Sequence, residues 1–99
     1  MNDRKHTVLV ALQQALLGEV SARLRAVTVA HDDTSIHFDC YYDGEISDED
    51  REAMSCVETE LMSMFPSTHR ITYQLHRKYF PDPIPKDKTW AFFRKEGLI

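Results

Sequence analysis

A chain of 99 residues, 42% apolar and 28% charged with a net charge of -4, has the size and make-up of one globular domain. It is too short for a second domain behind a linker and too apolar for a disordered segment. Two cysteines, Cys40 and Cys56, exclude a disulfide-dense secreted scaffold and a four-ligand zinc site and fit a reducing compartment, while no run of apolar residues is long enough to imply a membrane partner.

The first element is a helix over residues 4–17, because Val8, Leu9, Leu12, Ala15 and Leu16 recur on one stripe and Gly18 stands where helices commonly stop. Arg4 and Lys5 ahead of TVLVAL give this segment a faint likeness to an export signal, but Gln13 and Gln14 break the apolar run. LRAVTVA from Leu24 is rich in β-branched residues, HDDTS supplies turn chemistry, and SIHFDCYY alternates Ile36, Phe38, Cys40 and Tyr42 against Ser35, His37, Asp39 and Tyr41. That pattern predicts an antiparallel hairpin.

Ser47, followed three residues later by Asp50, is a helix-starting box, and Pro66 is a stop. Between them a second helix over about residues 48–65 gathers Met54, Val57, Leu61, Met64 and Phe65 on one arc and sets Asp48, Glu52, Ser55, Thr59 and Ser63 opposite. Alternation of Ile71, Tyr73 and Leu75 predicts a third strand, PDPIP at 81–85 cannot extend it, and the aromatic TWAFFRKE predicts a last strand. The order α-β-β-α-β-β over residues 1–99 is a single α+β domain. The simplest layering is a two-layer sandwich, with two helices packed on one face of a four-stranded, mainly antiparallel sheet. Pattern alone does not say where the third strand docks.

Charge along this order is uneven. Residues 1–30 carry +2, residues 31–66 carry -10 and residues 67–99 carry +4. DGEISDEDRE at 43–52 alone holds six carboxylates. Such a segment repels phosphate backbones and attracts cationic surfaces, which argues against nucleic acid and for a basic protein partner. A hand-type calcium loop fails on register. Counted from Asp43, the sixth position requires Gly and holds Asp48, and the twelfth requires Glu and holds Met54. Asp48, Glu49 and Asp50 are accounted for by the first turn of a helix, whose unpaired N–H groups favour negative charge.

Other chemistry is thinly signalled. Cys56 projects away from the apolar arc with nothing beside it to lower its pKa, Cys40 fits a small core position, and His37 and His76 face away from the apolar side of their strands. Neither a phosphate-binding glycine loop nor a nucleophile elbow is present, so no cofactor and no catalysis are expected. Two alternatives stay open: a small enzyme using Cys56, His37 or paired acids, and an RNA-binding accessory domain centred on HRKYF at 76–80. For HRK itself, pairing with the acidic segment or a charged sheet edge is the simpler expectation.

CYYDGEISDEDREAMSCVETE at 40–60, with LRAVTVA, SIHFDCYYDG, YFPDPIP and WAFFRKE around it, resembles the immunity proteins of bacterial contact-dependent growth inhibition. The likeness covers about residues 24–96. It implies a cytoplasmic protein that binds the toxin domain of a delivered effector, often a nuclease, and keeps it from its substrate. On this view Asp43, Glu45, Asp48, Glu49 and Glu52, chosen for charge and expected exposure, are rim and steering residues, and Tyr41 is an exposed aromatic anchor. No feature fixes the oligomeric state.

Overall fold

The computed structural model describes residues 3–96. Its elements are α1 (Asp3–Leu16), β1 (Leu24–His31), β2 (Ser35–Tyr42), α2 (Asp48–Met64), β3 (Arg70–Arg77) and β4 (Thr89–Phe93). The expected element order and the placing of both helices on one side of the sheet therefore hold. β1 and β2 form the hairpin, paired from Leu24 with Tyr42 to His31 with Ile36. Its turn is closed by Asp32 N–H donating to Ser35 O (3.0 Å) and Thr34 N–H donating to Asp32 Oδ1 (2.9 Å).

The sheet itself is mixed, which corrects the expectation of a mainly antiparallel one. Its order is β3-β2-β1-β4, with β2 and β3 parallel and the other two pairings antiparallel. The cause is the crossover through α2. Seventeen helical residues rise about 26 Å at 1.5 Å each, and the eight residues of β2 span about 26 Å as a strand. The helix thus returns the chain to the level where β2 began. There Arg70 N–H donates to Thr34 O (2.8 Å) and Ser35 pairs with Arg70. A strand entering from that end can only run parallel.

Val8, Leu12, Ala15 and Leu16 of α1 and Met54, Val57 and Leu61 of α2 pack on Leu24, Val27, Ile36, Phe38, Cys40, Tyr42 and Ile71 to form the main core. Phe38 stacks on Tyr73 at 5.2 Å between ring centroids. A register shift at Leu24/Ala26, which places one extra residue in β1, lets Leu24 and Val27 share the helix side although they are three apart, while Ala26 turns to the other face. That second face is partly covered. The connection from β3 to β4 crosses it and seats Ile84 against Ala26 and Tyr41, with Trp90 alongside, and Trp90 Nε1–H donates to Pro85 O (3.1 Å). β1 is buried on both faces for this reason, and β3 and β4 are the two edges.

Candidate functional site

The acidic segment begins where β2 ends and α2 starts. Ser47 caps α2 in extended geometry, its Oγ accepts from Asp50 N–H (3.0 Å), and Asp50 Oδ2 accepts from Ser47 N–H (3.1 Å). This capping box turns Asp50 inward, where it is buried and also accepts from Arg23 Nη2 (2.7 Å). Burial alone would push its carboxyl up, but the Ser47 and Arg23 hydrogen bonds outweigh that and hold it below the usual range. Once Asp50 is fixed inward, helical geometry directs Asp48, Glu49 and Glu52 outward, and all three are exposed.

Two further acids are spoken for. Asp43 accepts from Phe80 N–H (3.0 Å) and from Arg94 Nη2 (2.9 Å), and these hold its carboxyl below the ordinary value. Glu45 pairs with Arg77. Arginines from before β1, from β3 and from beyond β4 therefore answer Asp50, Glu45 and Asp43. Among the described residues Asp48, Glu49 and Glu52 form no ion pair, and neither do Glu58 and Glu60 further along α2. The free anionic surface is thus the outer face of α2 rather than the whole of residues 43–52. Beyond the acids that face is shallow and lined by Ser55, Cys56, Thr59, Glu60 and Ser63.

Tyr41 does not occupy the exposed position expected of it. It is 5% exposed, on the sheet face opposite the helices, stacked on His76 at 4.9 Å and packed in the cluster of Ala26 and Ile84. Strand alternation put Tyr41 opposite the core face correctly, but the crossing of residues 81–85 covers it. Exposed aromatic surface near the acids comes instead from Tyr79 and Phe80.

On that same sheet face His37 and His76 direct Nε2 at Asp39 Oδ1, at 3.2 Å and 2.8 Å, while His37 Nδ1 meets Thr72 Oγ1 at 2.8 Å. Cys56 lies on the outer side of α2, so the helix layer and the sheet stand between its thiol and these imidazoles. Cys40 is in the core, where burial first and Asp39 second push its thiol far above the ordinary value, away from the thiolate that a nucleophile requires. Among the described residues no group of three His, Cys, Asp or Glu side chains is arranged to hold a metal ion, and no helix is long and apolar enough to cross a membrane. In HRKYF, His76 and Arg77 are engaged by Asp39 and Glu45, which is the pairing expected of a basic stretch beside an acidic one.

Sequence reasoning missed Arg25. It is 2% exposed, donates through Nε and Nη2 to Glu96 (2.7 and 3.1 Å) and through Nη1 to Lys78 O (2.6 Å), and lies over the Phe80 ring. The available signal was an arginine inside the β-branched run LRAVTVA, since a charge there needs a buried partner. Its role is to tie the segment after β4 and the end of β3 to β1.

Residues 5–96 match the sequence pattern of the MafI2 immunity protein family. No curated protein matches the chain.

Proposed function

Because this chain belongs to the MafI2 immunity protein family, we propose that it neutralises a cognate bacterial toxin by binding it through the acidic outer face of α2. The observation that carries this reading is the set of outward carboxylates, Asp48, Glu49 and Glu52, left unpaired while neighbouring Asp43, Glu45 and Asp50 are matched by arginine. Potentials of one sign on a surface steer an oppositely charged partner and speed encounter more than they deepen affinity. A nuclease is the toxin class this face fits best, since a cleft that holds a nucleic-acid backbone is lined with cations. Occlusion of that cleft, rather than chemistry on the toxin, is the mode of inhibition. On this reading the partner is a basic toxin domain delivered by contact-dependent growth inhibition or a related route, and the encounter takes place in the cytoplasm.

The test uses the toxin domain encoded beside the gene for this chain. A stable complex that blocks nucleic-acid cleavage is expected, and Asp48→Lys with Glu52→Lys should slow association by about tenfold at low salt. Absence of a complex would refute the immunity role for this pair. A complex whose association is indifferent to the double reversal would leave immunity standing and remove α2 as the contact face.

A further inference from the structure

Where α1 ends, the chain makes a turn that leaves two apolar side chains at the surface. Gly18 adopts φ +82°, and the turn carries Leu17 and Val20 outward, Leu17 at 77% exposure. Beneath them Leu16, Ala91 and Phe92 floor a shallow groove of about 300 Å³ between the helix layer and the β4 edge. Gln13 Nε2 donates to Ala91 O (3.4 Å) at this edge, so one backbone acceptor bordering the groove is already satisfied. The groove shares Gly18 and Val20 with a second concavity at the foot of α2, bordered by Glu19, Glu49 and Arg23. Arg23 is held by Asp50, whereas Glu19 and Glu49 form no ion pair among the described residues. An apolar notch is therefore continuous with an anionic rim, and that rim is the beginning of the α2 face.

We propose that this notch is the anchor of the interface, receiving an apolar side chain of the toxin that is flanked by lysine or arginine. The inference rests on the immunity reading and adds where the lasting contact is made. Interfaces draw most of their strength from a few apolar residues seated in a desolvated pocket, while the charged rim governs encounter. Charge decides between occupants. A second copy of this chain docked symmetrically would bring Glu19 and Glu49 towards their own counterparts, whereas a cationic partner relieves them.

Association and dissociation rates with the catalytically inactivated cognate toxin domain test this directly for wild type, Leu17→Ser and Leu17→Ser/Val20→Ser. Both side chains are exposed, and unchanged circular dichroism and thermal midpoint would establish that the variants fold. Expected is dissociation faster by about tenfold or more, with association and its salt dependence unchanged. Dissociation within about twofold of wild type for both variants, while the toxin still binds, would overturn the anchor and leave the immunity reading intact. If the toxin does not bind wild type, the immunity reading fails and the anchor with it. If sedimentation shows a dimer of this chain that Leu17→Ser dissolves, the notch is a self-association site and the proposal is wrong.

Discussion

Asp50 carries a structural task that its neighbours do not. Its carboxylate closes the capping box of α2 and receives Arg23, and these contacts hold it below the ordinary carboxylate range in spite of burial. A folded-state pKa beneath the unfolded one adds stability that is fully present above the unfolded value, near pH 4, and is lost as pH falls through the lowered folded value. Asp50→Asn should therefore cost about 1–3 kcal/mol at neutral pH, from weakened caps and an Arg23 left without its partner, and should also make the acid limb of stability shallower. Asp32, Asp43 and Glu96 are held low as well, so the limb becomes less steep rather than flat. Urea unfolding from pH 7 to pH 2.5 gives both quantities, and identical acid slopes in wild type and variant would contradict the assignment. Which acids are engaged in this way was legible in sequence only for Asp50, because a box at spacing three is local. Arg94 with Asp43 and Arg77 with Glu45 depend on strands meeting across the sheet.

At the scale of elements, the turn after α1 gives the cleanest prediction. Gly18 sits at φ +82° with open space around the position of a Cβ, so Gly18→Ala meets no clash and its cost is backbone conformation alone. That cost is about 1 kcal/mol, which for a domain of this size lowers Tm by about 4–8 °C. Gly18→Asn, whose side chain tolerates the left-handed region, should lose less, and calorimetry that ranks Asn below Ala would refute the argument. This glycine was legible as a helix stop, as were the bounds of α2 from Ser47 and Pro66 and those of β2 from its alternation. The parallel docking of β3 was not, because alternation fixes which face a strand buries and says nothing of its neighbour. Covering of Tyr41 by Ile84 escaped for a similar reason: PDPIP was legible as a break in the strand, but not as a segment that folds back across the sheet. Met64, placed on the apolar arc by periodicity, is exposed at the last residue of α2, while Phe65 after it packs against the core.

Across the whole molecule the electric field has one main source. With Asp50 neutralised by Arg23, α2 presents five acids, Asp48, Glu49, Glu52, Glu58 and Glu60, against Arg51, or -4, which equals the net charge of the chain. The remaining residues carry ten basic against ten acidic groups, and Asp43, Glu45 and Glu96 among those acids are met by arginines. Screening sharpens the consequence. At 0.1 M salt the Debye length is about 10 Å, roughly the diameter of one helix, so the excess negative charge of α2 is felt chiefly by a partner approaching that helix. Association with a basic toxin domain should therefore slow as salt rises. The triple variant Asp48→Asn/Glu49→Gln/Glu52→Gln should associate more slowly at low salt and lose most of that dependence, with dissociation little changed, because exposed rim charges act on encounter. Stopped-flow association rates across a salt series measure this. A triple variant with the wild-type slope would mean that encounter is governed by some other part of the surface, and the balance of paired and unpaired acids on α2 would then have no bearing on binding.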